Sequence, residues 1–344
     1  MKIQHIYWFS YFNLDEPSVR YRAKYPLQML RERHGVSYSI VYPGYSFRAL
    51  WTFIVVWFSA LLFRKKGSVI VFQKIYSSGI YASALKVLLF FRRAYTLYDS
   101  DDAEHTRRAD ATIRHFLRRC SDCSVGSRAL MAYTAQFNRR VFLLTSPVIE
   151  HSQQKIGLAE QFTVGWIGYY GAHRESLMTL FFPALLQLPF PAKFKLLGAM
   201  NEREVQEIRA YFAPNPHISV EVPLGLDWYA EESIYEIIKT FDVGVSPLLD
   251  NEFNRCKSAF KLKQCLSCGV PVLASSVGEN VEFIRSGENG YLCDSPAEYL
   301  EKMIALKNLS AADYSRMSYA ARQTFPLFSV DAYCEIFLDY FTAR

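Results

Sequence analysis

Short apolar runs alternate with helical stretches along the first half of the chain. Six of these runs read as strands, and the rhythm is that of a parallel sheet with helical crossovers. The predicted strands are Ile3–Phe9, Tyr38–Tyr42, Ser68–Phe72, Tyr95–Tyr98, Cys123–Gly126 and Val141–Leu144.

The second half repeats the pattern with six further runs. They are Thr163–Ile167, Lys193–Leu197, Ile218–Val222, Asp242–Ser246, Val272–Ser275 and Tyr291–Cys293. At 344 residues the chain is long enough to bury two cores. We therefore predict an α/β fold of two doubly wound, Rossmann-like domains. In such folds a ligand lies at the carboxyl ends of the strands, here in the cleft expected between the domains.

The domain boundary is predicted in the polar stretch His151–Gln161, which lacks apolar periodicity. The predicted domains span residues 1–155 and 156–325, followed by a closing segment, 326–344. That segment contains one predicted helix, around Val330–Phe341.

One segment, Ala49–Phe63, is apolar except for Thr52 and Ser59, and the basic residues Arg64-Lys65-Lys66 follow it. It is short for a transmembrane helix, which needs about 18–20 apolar residues. Two interpretations stay open: a buried crossover helix, and a helix set into a membrane surface. We prefer the second, because such helices have basic and aromatic flanks.

The net charge of +6 is unevenly distributed. Residues 1–150 carry 22 Lys and Arg against 10 Asp and Glu, whereas residues 151–344 carry 17 against 23. A basic surface suits nucleic acid or anionic lipid. No aromatic-and-basic nucleic-acid motif is readable, and the aromatic content of 16% favours lipid. Arginines predicted to meet anionic head groups are Arg92, Arg93, Arg107, Arg114 and Arg118.

The seven cysteines are an odd number, and no N-terminal signal peptide is readable, which together indicate a reducing cytosol. The pairs Cys120/Cys123 and Cys265/Cys268 lack the spacing of the usual zinc modules. We therefore expect no metal and no disulfide, and a location in the cytoplasm, peripheral on the membrane.

The stretch Lys257–Asn280 reads as a loop, a helix, a sharp stop and a buried strand. Ser258 is predicted to cap the helix, Gly269 to end it in the left-handed conformation, and Pro271 to prevent its continuation.

Lys257 and Lys261 are four residues apart, so we expect them on one face at the start of this helix. Free backbone N–H groups and the helix dipole favour an anion there. The pair predicts a diphosphate site, with solvated surface lysines as the alternative.

Several motifs together resemble glycosyltransferase family 4, the retaining sugar-nucleotide transferases. Their order and spacing follow the family, most closely over residues 162–293. The motifs are Leu97-Tyr-Asp-Ser-Asp-Asp-Ala103, Val164-Gly-Trp-Ile-Gly168, Phe241-Asp-Val-Gly-Val-Ser-Pro-Leu248, the Lys257–Gly278 run and Ser286-Gly-Glu-Asn-Gly-Tyr-Leu292. The resemblance implies a GT-B fold whose last helix crosses back to the first domain.

The resemblance also implies a donor site, in which Lys257 and Lys261 stabilise the departing diphosphate. Two glutamates of the family fall at Cys256 and Gln264 in this chain, so both carboxylates are missing. Gln264 can still hydrogen-bond a ribose through its amide. The sugar-side contact is then expected from residues close to Cys256, namely Glu252 or Asn254.

Further donor contacts are implied at the loop after Gly168. Where the family commonly has an arginine and then a lysine, this chain has Tyr169 and Arg174. Arg174 is expected to supply phosphate charge, or else to be a solvated loop residue. The remaining implied donor residues are Gly278, Glu279 and Asn280.

Asp99 and Asp101 lie at the predicted carboxyl end of a strand, with Asp102 beside them. They are expected to touch the donor sugar or an acceptor hydroxyl, unless they cap the following helix. Asp99-Ser100-Asp101 resembles the metal-binding Asp-x-Asp of another glycosyltransferase superfamily, but the fold pattern does not match. Arg20 and Arg22 resemble a family loop that approaches the donor or acceptor.

The predicted function is transfer of a sugar, with retention, from a nucleoside-diphosphate sugar to an acceptor. The acceptor is expected to be a lipid-linked or envelope polysaccharide glycan, and the enzyme to need no metal or cofactor. A nucleotide-sugar epimerase and a catalytically degenerate glycan- or membrane-binding scaffold are the alternatives. A dehydrogenase is disfavoured because no Gly-x-Gly-x-x-Gly follows Ile3–Phe9. The sequence does not indicate the base, the sugar or the linkage.

Overall fold

A computed structural model describes residues 2–44, 46–62, 67–76, 79–90, 95–107, 110–151, 155 and 157–343. The chain divides into two compact units. The first unit comprises Met1–Ile149, Arg255–Ser258 and Phe328–Arg344, and the second comprises Glu150–Asn254 and Ala259–Leu327. Each contains a parallel six-stranded sheet with flanking helices, which confirms the predicted fold class.

The unit boundaries differ from those predicted. The structure divides the chain after Ile149, and it assigns the short stretch Arg255–Ser258 to the first unit. One hydrogen bond that holds this stretch runs from the Ser127 hydroxyl to the carbonyl oxygen of Cys256, at 2.8 Å. A contact between residues so far apart in sequence cannot be predicted from the local pattern of apolar and polar residues.

All strands of the first unit lie in one sheet of order β2-β1-β3-β4-β5-β6. They are β1 His5–Ser10, β2 Ser37–Val41, β3 Ser68–Gln73, β4 Tyr95–Ser100, β5 Asp122–Val125 and β6 Val141–Leu143. The helices between them are α1 Pro17–Val19, α2 Tyr25–His34, α3 Phe47–Leu62, α4 Ile80–Phe90, α5 Asp110–Arg119 and α6 Arg128–Ala135. A π-helical stretch, Arg20–Lys24, joins α1 to α2.

The sheet of the second unit has the order β12-β11-β10-β7-β8-β9. Its strands are β7 Phe162–Ile167, β8 Ala192–Leu197, β9 Ile218–Glu221, β10 Val243–Ser246, β11 Val272–Ala274 and β12 Gly290–Leu292. The helices that follow β7 are α7 Tyr170–Ser176, α8 Phe182–Leu186, α9 Glu202–Phe212, α10 Glu231–Lys239, α11 Glu252–Arg255, α12 Phe260–Ser267, α13 Asn280–Phe283, α14 Pro296–Lys307 and α15 Ala311–Gln323. The last helix, α16 Val330–Thr342, belongs to the first unit.

The first sheet is buried on both faces. Ile6 and Trp8 of β1 lie in a cluster with residues of α2 and α16. Tyr7 and Phe9 point to the opposite face and lie in a cluster with residues of α3, α4 and α5. Because successive side chains of a strand alternate between faces, a continuous apolar run serves both clusters.

Helix α3 is not the fully buried crossover helix that was one interpretation of Ala49–Phe63. Its inner side packs on the first unit, where the Trp57 indole donates to the Ala84 carbonyl oxygen at 2.9 Å. Its outer side exposes a row of apolar side chains, Phe47, Leu50, Trp51, Val55, Phe58 and Leu62. Among the described residues, no helix is both long and apolar enough to cross a membrane.

The first unit contains a buried ion pair between Arg22 and Asp99, both inaccessible to solvent. The guanidinium donates to Asp99 Oδ1 at 2.5 Å and to Oδ2 at 3.0 Å. It also donates to the Leu144 carbonyl oxygen at 2.6 Å and the Ser146 hydroxyl at 3.2 Å. The pair therefore joins the helical segment after β1 to the carboxyl ends of β4 and β6.

Replacing Asp99 is expected to destabilise the first unit strongly. Asp99→Asn leaves the buried Arg22 guanidinium without its counter-charge, which costs about 3–5 kcal/mol. Urea denaturation followed by circular dichroism measures the loss. The matched control is Asp331→Asn, which breaks the exposed Arg33–Asp331 pair of the same unit and should change the free energy of unfolding by less than about 1 kcal/mol. Equal effects of the two variants would contradict a structural role for the buried pair.

Candidate functional site

The carboxyl edge of the second sheet has a switch in strand order at β7. The neighbours of β7 are β8 on one side and β10 on the other, and such a switch opens a crevice at the carboxyl ends of the strands. A glycine turn follows each of β7 and β8, and the two turns are in close contact. A Cβ on Gly198 would lie 1.6 Å from the Gly168 carbonyl oxygen, and both glycines have positive φ. Only glycine fits at these two positions.

The ammonium group of Lys261 lies over the first glycine turn. A Cβ on Gly168 would lie 2.1 Å from Lys261 Cε. Lys261 Nζ is 2.7 Å from His173 Nε2 and 5.8 Å from the centroid of the Trp166 ring. Because an ammonium only donates, the imidazole accepts this bond at Nε2. A positive charge is thus held at the crevice by residues of β7, α7 and α12.

Helix α12 starts later than predicted, and its start is not capped by a side chain. Its N-cap residue is Ala259, in the left-handed region at φ 54°, with no side-chain hydrogen bond to the first turn. The predicted capping role of Ser258 is therefore wrong. Gly269, at φ 73°, ends the helical region as predicted. The positive end of the helix dipole at this start favours a negatively charged group.

Gln264 lies on α12 three residues after Lys261, so the two side chains share a side of the helix. The residue is only 6% exposed. Its amide nevertheless makes no hydrogen bond to another described residue. Since buried polar side chains normally have hydrogen-bond partners, an amide in this state is suited to a ligand.

The loop after β11 carries the predicted Gly278, Glu279 and Asn280. Asn280 is fully buried, and its amide nitrogen donates to the carbonyl oxygens of Ser275 at 3.0 Å and Ser246 at 3.4 Å. Its Oδ1 has no hydrogen-bond partner among the described residues. Glu279 is also buried. The loop is therefore tied to the carboxyl ends of β10 and β11, at the same edge as Gly168.

The structure directs Arg174 away from the glycine turn. Its Nε donates to Glu207 Oε1 on α9 at 2.5 Å, and this carboxylate raises the pKa of Arg174. The Tyr170 hydroxyl donates to the same oxygen at 3.1 Å, and Tyr169 is exposed. Arg174 thus forms a surface pair, which favours the solvated alternative over the phosphate role.

Glu252 and Asn254, the predicted sugar-side residues, differ in environment. Glu252 is exposed in the first turn of α11. Asn254 is buried, and its amide donates to the Leu249 carbonyl oxygen at 2.8 Å. Asn254 therefore supports the loop, while Glu252 stays accessible.

The first unit has its own charged cluster at the carboxyl ends of β3 and β4. Lys74 follows β3 in the left-handed region, at φ 52°, a strain of about 1–3 kcal/mol for a residue other than glycine. Its Nζ lies 3.2 Å from Asp101, 2.9 Å from Asp102 and 3.7 Å from Glu104. Burial lowers the pKa of Lys74, but these carboxylates outweigh it and hold the pKa well above its usual value. Among the described residues, no His, Cys, Asp or Glu group is arranged to hold a metal ion.

Lys257 belongs with this cluster and not with Lys261. It precedes α12 and lies in the first unit, so the predicted shared helix face does not exist. Burial lowers the pKa of Lys257, and the positive charges of Arg107 and Lys74 add to that shift, while Asp102 and Asp101 oppose it. Burial also raises the pKa of Asp101, against the effect of Lys74.

Two other predicted site residues, Asp99 and Arg20, are hydrogen-bonded within the protein. Asp99 is saturated by Arg22 and by the Ser124 hydroxyl, which donates to it at 2.7 Å. Arg20 donates to the carbonyl oxygens of Leu14 at 3.2 Å and Asp15 at 2.7 Å. Asp99 and Arg20 therefore serve the architecture of the loops around β1 and β4. Lys74 was missed by the sequence reasoning. Its only signal was a position two residues after the predicted strand Ser68–Phe72.

Comparison with known proteins gives a family match over the second unit. Residues 161–308 match the family model for glycosyl transferases group 1. That region contains both glycine turns, Lys261, Gln264 and the loop after β11. Together with the fold, the match supports a glycosyltransferase. Comparison with curated protein sequences gives no match.

Solved structures share the fold over almost the whole chain. Anabaena HepE in complex with UDP is 14% identical, with 100% of both chains covered and a TM-score of 0.66. Sucrose-phosphate synthase from Thermosynechococcus elongatus is 13% identical over 99% of this chain and 100% of its own, with a TM-score of 0.69. A glycosyltransferase from Rickettsia africae is 11% identical over 99% and 98%, with a TM-score of 0.67. These are GT-B folds, so the predicted GT-B architecture is confirmed.

Lys261→Ala is expected to weaken binding of a nucleoside diphosphate at least tenfold. The variant removes a hydrogen bond to a charged group, worth about 1.5–3 kcal/mol. Isothermal titration with UDP measures the change. The control is Lys193→Ala, at the amino end of β8, which should bind UDP like the parent. Unchanged affinity in the Lys261 variant would locate the phosphate site elsewhere.

Proposed function

We propose that this protein is a retaining glycosyltransferase that moves a sugar from a nucleoside-diphosphate sugar to an acceptor hydroxyl. One observation carries the proposal: Lys261 lies over the Gly168 turn, at the uncapped start of α12, with the unpaired amide of Gln264 one turn further on. These groups suit a donor of two phosphates and a ribose. Because HepE has been crystallised with UDP and with UDP-glucose, we propose a UDP-sugar as the donor.

Each group of the crevice has a role in this proposal. The Lys261 ammonium and the first turn of α12 stabilise the negative charge that grows on the leaving diphosphate. The turn at Gly168 has no side chain, which leaves room for Lys261 against the backbone. Gln264 donates to one ribose hydroxyl and accepts from another, which a carboxylate cannot do.

The acceptor is assigned to the charged cluster of the first unit. The Asp102 side chain is 33% exposed, and its Oδ2 lies 2.9 Å from Lys74 Nζ. Such an oxygen accepts a hydrogen bond from an acceptor hydroxyl and thereby orients it. Lys257, whose pKa is lowered by burial, adds positive charge beside the same carboxylates. We propose no metal ion in this chemistry.

The Gln264 variants test the nucleoside contact. Gln264→Leu leaves the ribose hydroxyls without partners, so affinity for UDP should fall at least tenfold. Gln264→Glu should retain or slightly improve affinity, because a charge-assisted hydrogen bond replaces a neutral one. Titration calorimetry on the three proteins measures both effects. If Gln264→Leu binds UDP as well as the parent, the ribose site is wrong.

The enzymatic activity is tested in two steps. A thermal-shift screen across nucleoside diphosphates and their sugars identifies the donor, since a ligand at 100 times its dissociation constant adds about 2.7 kcal/mol of stability. Products of the best donor are then analysed by mass spectrometry and NMR. Free or transferred sugar supports the transferase, and an isomerised nucleotide sugar supports an epimerase. Binding without any turnover supports a scaffold, the alternative motivated by the missing carboxylates at Cys256 and Gln264.

We further propose that the protein works at the cytoplasmic face of a membrane, on a lipid-linked or envelope polysaccharide acceptor. The supporting observation is the exposed apolar row of α3, where Trp51 is 59% and Phe58 is 47% exposed. Helix α4 exposes Ile80, Val87 and Phe90 in the same unit. The basic residues Arg64-Lys65-Lys66, Arg92 and Arg93 follow these helices in sequence but lie outside the described residues. Basic and apolar groups together suit an anionic membrane surface.

Not every aromatic or basic side chain of this region is available to a membrane. Trp57 of α3 points into the first unit, so it is not a surface anchor. Arg107 precedes α5 and therefore does not share a helix face with Arg114 and Arg118. Both of those arginines lie over the Phe137 ring, at 5.5 and 5.2 Å from its centroid.

A double variant, Trp51→Ser with Phe58→Ser, should lower binding to anionic vesicles at least tenfold. Each large side chain contributes about 1.5–3 kcal/mol when it is fully buried in an apolar phase. Co-sedimentation measures binding, which should also weaken as salt rises. Tyr319→Ser, at an exposed aromatic residue of the second unit, is the control. Binding by the double variant equal to that of the parent would contradict the membrane role of α3.

A further inference from the structure

A cavity of about 490 Å³ lies at the amino edge of the first sheet, opposite the Lys74 cluster. Thr96 at the start of β4, Ser121 before β5 and Arg140 before β6 line it. The carboxyl ends of α4 and α5 contribute further walls. None of these residues belongs to the proposed donor or acceptor groups.

Four arginines line this cavity as two neighbouring pairs. Arg118 and Arg119 end α5, and Arg139 and Arg140 precede β6. None of the four has a carboxylate partner among the residues that the structure describes. The four arginines are solvent-exposed, and no carboxylate in the described part of the chain neutralises them. Their guanidinium groups repel one another around the cavity, and an anion between them relieves that repulsion.

The loops that carry the arginines are fixed by hydrogen bonds. Ser121 N donates to Thr96 Oγ1 at 2.9 Å, and Thr96 N donates to Ser121 Oγ at 3.2 Å. The Asn138 amide donates to the carbonyl oxygens of Leu117 at 2.9 Å and Cys120 at 3.0 Å. Its Oδ1 accepts from Arg140 N at 2.9 Å. Asn138 therefore ties the second arginine pair to the end of the helix that carries the first.

The rest of the cavity wall is apolar. Leu88 and Leu89 of α4 and the side chain of Cys120 are buried there. Their neighbours Val87 and Phe90 on α4 are exposed. The cavity thus combines several planar, bidentate donors with a hydrocarbon wall.

We infer that this cavity binds a phosphate-bearing ligand. Guanidinium forks match the oxygens of a phosphate, and four of them suit a group with more than one negative charge. The same chemistry is offered by a membrane-lipid head group and by a soluble phosphorylated compound. This inference does not depend on the proposed sugar transfer, because it uses the opposite edge of the first unit.

Inorganic pyrophosphate is the soluble probe, used with the full-length chain in isothermal titration. Two variants distinguish binding in the donor crevice from binding in the cavity. They are Lys261→Ala and the double variant Arg139→Gln/Arg140→Gln. If the cavity binds pyrophosphate, this binding should persist in Lys261→Ala and weaken at least tenfold in the arginine double variant. The second pair, Arg118→Gln/Arg119→Gln, should give the same loss.

The matched control is Lys2→Gln/Arg31→Gln, which removes two exposed positive charges of the first unit that do not line the cavity. It should bind pyrophosphate like the parent. Equal loss in the control would show general charge attraction and overturn the inference. Loss of all pyrophosphate binding in Lys261→Ala would also overturn it, without affecting the donor site.

Vesicles distinguish the two sources of phosphate. The same proteins are tested by co-sedimentation with phosphatidic acid in phosphatidylcholine, and with phosphatidylcholine alone. Loss of both pyrophosphate and phosphatidic acid binding in the arginine variants supports a lipid head group as the ligand. Loss of pyrophosphate binding alone supports a soluble phosphate. If the arginine variants bind both probes like the parent, the cavity is not a phosphate site.

Discussion

Burying a charge inside a parallel α/β unit is possible only when another charge or several donors compensate it, and one aspartate of each unit shows this most clearly. In the first unit Asp99 accepts from Arg22. In the second, Asp242 accepts from Lys155 Nζ at 2.8 Å and from the backbone N–H groups of Ala159 and Thr163 at 2.8 and 2.7 Å. An unpaired charge at either place would cost several kcal/mol. The strands beside these aspartates are thereby held in position.

This compensation separates structural polar groups from those suited to ligands. The oxygens of Asp99 are saturated by protein donors, whereas the Gln264 amide has no hydrogen bond to another described residue. Lys74 pairs with Asp101, Asp102 and Glu104, and Asp102 among them stays accessible. The loops after parallel strands meet at the carboxyl edge of the sheet, and ligand-binding side chains collect there. The proposed donor and acceptor groups consequently lie at the carboxyl edges of their units.

The sequence predicts the sheets well, because the signal for a buried parallel strand is local. Every predicted run falls on a strand, and the glycine at 269 has the left-handed conformation expected of it. The site was harder to predict, because the role of each residue depends on partners that are distant in sequence. Arg174 pairs with Glu207, and the charges that act on Lys257 include Asp101 and Asp102 from the first half of the chain. The predicted start of α12 was wrong because Ala259 adopts the left-handed conformation, which an alanine in the sequence does not indicate.

The excess positive charge of the first half is not spread evenly over the first unit. Carboxylates follow β4 at the carboxyl edge, while Arg118, Arg119, Arg139 and Arg140 surround a cavity at the amino edge. The exposed Val87 and Phe90 of α4 are neighbours in sequence of the wall residues Leu88 and Leu89. We propose that such a sheet binds an anionic surface or ligand at its amino edge and orients a hydroxyl at its carboxyl edge. The paired Arg22 and Asp99 fix the carboxyl ends of β4 and β6, on which the second of these roles depends.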